Sequence, residues 1–278
     1  MAYSKSPAAR WKAELEAWAI PERLMEQAEE SPYGWPAELW RRRTQESGFR
    51  QETTPTTSLV SRMLGSDGTL IDVGAGTGRS CLPYARAGRR VTAVEKNPGM
   101  AAGLQEEVNA EGLEVEVVVG PWPEAAARTA VADVVLSSHV VYDVPEIAPF
   151  ITGLAGHGRR GVVVEMTDVH PWTKMNYLYR AIHDLDRPQG PSVEDLIEVV
   201  VTELGAEVGV VRWERAPDLW FLSWQEILDY YGKRVVVPRA RREELRPLLE
   251  EFVVPRDNRL YVEEGPRSFA TLWWVPAG

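Results

Sequence analysis

The chain has 278 residues, 44% of them hydrophobic and 26% charged, the balance of a globular protein with room for one large domain or one domain with an appendage. Its formal net charge of −10 argues against a nucleic-acid partner, which would need a basic footprint. No run approaches the ~18 apolar residues of a membrane span, Met1 to Arg10 lack the apolar core of a secretory signal, and the single cysteine, Cys81, excludes an internal disulfide and a cysteine-based zinc cluster. A cytoplasmic location and no membrane partner are expected.

Residues 1–65 read as a helical N-terminal extension, a candidate lid. Trp11, Leu15 and Trp18 fall on one helical face. Pro21 suits the first turn of a second helix carrying Leu24, Met25 and Ala28, and Pro36 can open a third with Leu39 and Trp40. Arg41-Arg42-Arg43, and more weakly Arg239, Arg241 and Arg242, sit beside glutamates on helical stretches and read as solvated faces. A short helix over about 57–64 leads into the turn Gly65-Ser66-Asp67-Gly68.

From Thr69 the pattern alternates. The apolar strand Leu70–Val73 runs into Gly74, Gly76 and Gly78, and Cys81 to Ala85 has helical character. Strands follow at Arg90–Glu95, Val115–Val119, Asp133–Ser137 and Gly161–Glu165. Between them lie a helix capped by Asn97, started by Pro98 and stopped by Gly112, a short helix over Glu124–Thr129, and a helix from Pro145 to about Ala155. Repeated strand–helix units imply a parallel sheet with helices on both faces and a ligand site beyond the C-terminal strand ends. Farther on, Pro171–Asp186, Ser192–Leu204, Trp224–Tyr231 and Arg239–Phe252 read as helices, and Glu207–Trp213 as a sixth strand. Arg259–Val262 and Ser268–Val275 read as two antiparallel strands around Glu264-Gly265-Pro266. The second domain is 66–278, with helical insertions at 168–205 and 214–256 as further cap elements.

Two ligand classes use a glycine turn after the first strand. A dinucleotide turn reads G-x-G-x-x-G, but Arg79 stands where its third glycine would be, and Asp72 would push a carboxylate toward a pyrophosphate. That arrangement suits a cationic ligand better. Asp72-Val73-Gly74-Ala75-Gly76-Thr77-Gly78 resembles the first motif of class I S-adenosylmethionine-dependent methyltransferases. Glu95 ends the second strand where that family places an acid on the ribose hydroxyls, and Ala132–Val144 looks like the fourth motif of its small-molecule branch. The resemblance covers roughly 69–167.

It implies an α/β, Rossmann-like seven-stranded sheet, mostly parallel with an antiparallel last strand, plus the N-terminal helical extension. It also implies S-adenosylmethionine as donor and S-adenosylhomocysteine as product. Donor-binding positions carried over are Asp72, Gly74, Ala75, Gly76 and Gly78 in the turn, then Glu95, Lys96 and Met100. Gly120, Pro121 and Trp122 follow the third strand, and Ser137 and Ser138 close the fourth. Met100 and Trp122 can pack on adenine. Gly120-Pro121 departs from the family, which often carries an acid there for the adenine amino group.

Methyl transfer needs alignment, exclusion of water and, for a hydroxyl acceptor, a base. Groups beyond strands four and five are His139, Tyr142 and Asp143, and Glu165, Asp168 and His170. His139, His170 and Tyr142 are the catalytic candidates, with pocket shaping the competing role for His139. No histidine spacing points to a metal. The expected activity is methyl transfer to oxygen or nitrogen of a small molecule, by a monomer or homodimer. Trp11, Trp18, Trp35, Trp40 and Trp172 would suit an apolar acceptor, though core packing explains most of them equally well. Rival readings are an RNA or protein methyltransferase, a donor-binding module without transfer, and a dinucleotide oxidoreductase.

Overall fold

A computed structural model describes residues 6–33, 53–217 and 219–276. Its centre is a seven-stranded sheet in the order β3-β2-β1-β4-β5-β10-β6, made of β1 Leu70–Val73, β2 Val91–Glu95, β3 Val115–Val119, β4 Ala132–Ser138, β5 Gly158–Thr167, β6 Gly209–Arg215 and β10 Arg267–Trp274. The pairs β1–β2, β2–β3, β1–β4 and β4–β5 are parallel, whereas β10 runs antiparallel to both β5 and β6. Strand order reverses between β1 and β4, which opens a crevice at their C-terminal ends. All four residues of β1 are buried, as a strand covered on both faces must be.

Two helical layers cover the sheet. One contains α3 (Pro55–Leu64), α4 (Leu82–Arg86) and α5 (Pro98–Glu111), whose Leu59, Val60, Leu82 and Leu104 join Leu70, Ala93, Val134 and Leu136 in one core. The other contains α1 (Pro7–Glu16), α6 (Ile147–Ala155) and α8 (Val193–Leu204), packed on Ile71, Val73, Val135, Val164 and Leu272. Local chemistry sets the boundaries. Thr54 and Thr57 form a reciprocal capping box ahead of α3, Asn97 caps α5, and Gly112 ends α5 in the left-handed region at φ 65°. Ser192 and Asp195 form a second capping box that starts α8.

A third cluster lies outside the sheet. Ile20 and, within the single helical turn α2 (Glu22–Met25), Leu24 join Leu178 and Tyr179 of α7 (Asn176–His183). Ile227, Leu228 and Tyr231 of α9 (Trp224–Arg234) and Leu249 of α10 (Arg246–Leu249) complete it. A three-stranded sheet in the order β7-β9-β8 borders this cluster, from Trp220–Phe221, Arg259–Val262 and Val253–Arg256 respectively.

This small sheet corrects the reading of the C-terminal strands as neighbours. Arg259–Val262 pairs with β7 and β8, while Arg267–Trp274 inserts between β5 and β6. The reason lies in burial. Phe269 to Leu272 are buried and need cover on both faces, whereas β9 offers one buried residue, Val262. The junction is held by Glu263 N–H on the Phe252 carbonyl and by Lys174 Nζ on the Glu264 carbonyl at 2.7 Å. The expected helix at Pro36 and the Arg41–Arg43 face lie outside the described residues. Among the described residues no helix is long and apolar enough to cross a membrane.

Candidate active site

The glycine turn sits at the strand-order reversal. Gly74, Gly76 and Gly78 have φ of 79°, 58° and 94°. A side chain at Gly74 would overlap Val140, and one at Gly78 would meet Leu104 at 2.6 Å. Gly76 differs, since a Cβ there would find only Met100 Cε, at 3.9 Å. The turn is therefore packed at both ends and open in the middle, where backbone can approach a ligand.

Two carboxylates flank the opening. Glu95 accepts hydrogen bonds from Gly76 N–H at 2.8 Å through Oε2 and from Asn97 N–H at 2.7 Å through Oε1. Each oxygen keeps a further lone pair, enough for two ribose hydroxyls. Asp72 is fully buried, and neither carboxylate oxygen has a hydrogen-bond partner among the described residues. Burial pushes its pKa up to about 7, with the Cys81 thiol and the Arg79 guanidinium offsetting part of the rise. An orphaned carboxylate under an open glycine turn, with a second acid holding the turn, fits a ligand that carries an ammonium and a ribose.

The other expected donor contacts are distributed as follows. Ala75 is buried, with its N–H on the Val94 carbonyl at 3.1 Å. Lys96 pairs with Asp143 at the surface, and Met100 lies half-buried beside Gly76. Gly120 donates its N–H to the Glu95 carbonyl at 3.0 Å, and Pro121 is exposed. Trp122 packs inward, edge-on to His157, with its indole N–H on the Phe150 carbonyl at 3.3 Å. Ser137 Oγ donates to the Val73 carbonyl at 3.2 Å, tying β4 to β1.

Beyond β4 and β5 the structure gathers four polar groups. Glu165 is buried at the end of β5. Its Oε1 lies 3.0 Å from His139 Nε2, 3.0 Å from Ser138 Oγ and 3.4 Å from Arg79 Nη2. Burial alone would raise the Glu165 pKa, but the hydrogen bond and charge of His139 and the charge of Arg79 hold it far below the ordinary range. Glu165 is thus ionised and accepts only, so His139 Nε2 carries the proton and Nδ1 carries the lone pair. Burial lowers the His139 pKa against the opposing pull of Glu165. The imidazole keeps 31% of its side chain exposed and stands edge-on to Phe269. Its backbone φ of 61° is rare outside glycine and turns the side chain back over Glu165.

The remaining catalytic candidates are enclosed by packing. Tyr142 shares a hydrogen bond with Thr167 Oγ1 at 2.6 Å and accepts from Thr167 N–H. His170 is buried, stacked on Trp18 with ring centroids 4.0 Å apart, and its pKa falls to about 3 through burial and the nearby Arg187. Of the tryptophans expected near the acceptor, three are described, and each packs on protein groups. Trp11 and Trp18 are buried with indole N–H groups on the Val144 and Gly190 carbonyls, and Trp172 stacks on Tyr33. Trp35 and Trp40 lie outside the described residues. No cluster of three or more potential metal ligands occurs among the described residues.

Sequence reasoning treated Arg79 only as a missing glycine and overlooked Arg215. Both line a cavity of about 430 Å³ with Ser138, Glu165 and the start of α3. The position of Arg79 just past a turn that opens beside β4 was the available signal.

Residues 71–164 match the family model described as a methyltransferase domain. Among curated proteins the chain finds no match. Among solved structures it is similar to a putative methyltransferase from Bacillus halodurans, with 14% identity, a TM-score of 0.54 and coverage of 81% of this chain and 100% of that one. It is also similar to the YcgJ protein from Bacillus subtilis, with 12% identity, a TM-score of 0.53 and coverage of 80% and 99%. A third is the magnesium protoporphyrin IX methyltransferase of Synechocystis, described with bound S-adenosylhomocysteine, with 13% identity, a TM-score of 0.52 and coverage of 86% and 93%. At these identities the likeness is one of fold.

Proposed function

We propose that this chain, a class I S-adenosylmethionine-dependent methyltransferase, transfers the methyl group to an oxygen or nitrogen of a small molecule. The observation that carries the donor side is the unpartnered Asp72 carboxylate beneath a turn that Glu95 holds open at Gly76. Asp72 would meet the ammonium of the donor, directly or through water, and Glu95 its ribose hydroxyls. Bound there, the donor supplies a methyl carbon already activated by a sulfonium. The chain's own work is then alignment and proton removal.

His139 is the proposed base. With Nε2–H committed to Glu165, Nδ1 receives the acceptor proton, and the ionised carboxylate stabilises the imidazolium that forms. Arg79 and Ser138 hold the same Glu165 oxygen, Oε1, and Arg79 also bonds Ser138 Oγ. Tyr142 and His170 hold the loops after β4 and β5 by packing and bonding to Thr167 and Trp18. The acidic net charge supports a small-molecule acceptor over RNA. The same reading puts the chain in the cytoplasm as a monomer or homodimer.

Acceptor-dependent formation of S-adenosylhomocysteine, measured across pools of phenols, amines and tRNA, tests the proposal. Turnover with phenols or amines is expected. Turnover with tRNA alone overturns it.

A further inference from the structure

Glu165 belongs to a polar row that crosses three strands. In the sheet register Ser138 of β4 and Thr271 of β10 stand directly opposite Glu165 of β5, so the three side chains share one face. Glu165 and Thr271 are buried. One step deeper the same face carries Leu136, Val163 and Trp273, which belong to the apolar core under α3. Buried polar groups are costly unless each is bonded. Ser138 bonds Glu165, but Thr271 draws its partners from two other elements. Trp213, a diagonal neighbour on β6, brings its indole Nε1 to 3.0 Å from Thr271 Oγ1. Thr56, buried in the first turn of α3, brings its Oγ1 to 2.7 Å.

These contacts have a direction. An indole N–H can only donate, so Thr271 Oγ1 accepts from Trp213. Among the described residues the Thr271 hydroxyl bonds Trp213 and Thr56 alone, so its own proton goes to Thr56 Oγ1. The Thr56 proton then turns to Glu165, which lines the same cavity and, once ionised, only accepts. Consistent with this, the Thr56 hydroxyl is among the groups that hold the Glu165 carboxyl ionised. Protons thus point one way, from Trp213 through Thr271 and Thr56 to the carboxylate that holds His139.

We propose that Thr56 is a positioning residue of the methyl transfer: oriented by Trp213 and Thr271, its hydroxyl shares the Glu165 charge and sets how strongly His139 is drawn to a proton. The inference rests on His139 as the base and deepens that reading. The charged groups facing this pair are Arg79 from the turn after β1 and Arg215 from β6. Asp72, Tyr84 and Tyr142 also feel the Glu165 charge. Removing one hydroxyl from α3 alters none of them chemically.

Imidazole NMR tests this on the full chain without added ligand. The chain has four histidines, and His139→Gln assigns the His139 signals. Thr56→Val keeps the shape and removes the hydroxyl. The Glu165 charge is then shared by fewer donors, and the His139 pKa should rise by about 0.3–1 pH unit, the range set by one hydrogen bond. Thr56→Ser keeps the hydroxyl and should hold the wild-type value. Lost packing predicts the opposite ranking, because Ser removes a methyl group and Val does not. An unchanged or lowered His139 pKa in Thr56→Val, or equal shifts in Thr56→Val and Thr56→Ser, overturns the inference. Where Thr56→Val does not fold, Trp213→Phe carries the test. It keeps a ring against Phe269, on which Trp213 stacks at 4.7 Å, and lets the Thr56 proton turn back to Thr271. A smaller rise is expected there, and its absence overturns the inference. The acid limb of turnover should move with the NMR value. A rise by NMR with an unmoved limb falls on His139 as the base and leaves the hydrogen-bond chain standing.

Discussion

His139 is tied to Glu165 twice, by its backbone N–H on the Glu165 carbonyl at 2.9 Å and by Nε2 at 3.0 Å from the Glu165 carboxylate. The two contacts fix the ring and its tautomer together. If Nδ1 is the base, His139→Ala should lower turnover by about 10²–10⁴-fold while donor affinity holds. Burial lowers the His139 pKa and Glu165 raises it in part, so the acid limb of turnover should fall below the ordinary histidine value of about 6.5. Glu165→Gln removes the raising charge, and the limb should move to still lower pH. A pH profile of turnover for the three proteins checks this. An unchanged limb in Glu165→Gln would dissociate the carboxylate from the base.

The sheet was legible in the sequence because β1, β2, β4 and β5 are apolar, β-branched runs punctuated by glycine, asparagine and proline. The family resemblance supplied the seven-stranded total and the antiparallel strand. The small sheet was not legible, since β7 has two residues and pairs with β9 from far along the chain, and β8, although joined to β9 by a tight hairpin, contains Pro255. Asp72 and Glu95 could be picked out because each stands at the end of a recognisable strand. The cavity could not, because Thr53, Arg79, Glu165 and Arg215 are brought together only by the strand order.

Asp72 should trade stability for binding. Between the ordinary aspartate value of 3.8 and about 7, the folded chain keeps a proton that the unfolded chain has released. Its contribution to stability is therefore full at low pH, is lost as the pH rises through that window, and is gone above about 7. Asp72→Asn keeps the shape and removes the charge. It should raise stability at pH 8 by roughly 1–3 kcal/mol while weakening donor binding by a similar amount. Thermal melts and donor titrations on the same samples check both halves, and a variant that binds the donor normally would remove Asp72 from the site.

His170 should make the fold acid-sensitive. Its folded pKa of about 3 lies below the ordinary 6.5, because burial disfavours the imidazolium and Arg187 repels it. As the pH falls through that window, the unfolded chain takes up a proton that the folded chain refuses, so stability is lost on acidification. The loss should reach roughly 3–5 kcal/mol near pH 3. His170→Phe preserves a flat ring against Trp18 and cannot titrate. Its stability should fall less steeply than the wild type between pH 6 and pH 4, as read from denaturant midpoints. Parallel curves would show that other groups set the acid response.

The glycine turn offers a separation of folding from binding. At Gly76 an added Cβ meets nothing nearer than Met100 Cε at 3.9 Å, so Gly76→Ala carries only the backbone strain of φ 58°, about 1–2 kcal/mol. It should fold and lose donor affinity, because the methyl group enters the open middle of the turn. Gly74→Ala drives a methyl group into Val140 and adds strain at φ 79°, so it should destabilise the chain more severely. Val140→Ala in the Gly74→Ala background should recover the steric part of that loss and leave the strain. Melting temperatures of the single and double variants check the ordering. A Gly74→Ala chain as stable as Gly76→Ala would mean that the turn can shift away from Val140, and the packed-ends description of the loop would fail.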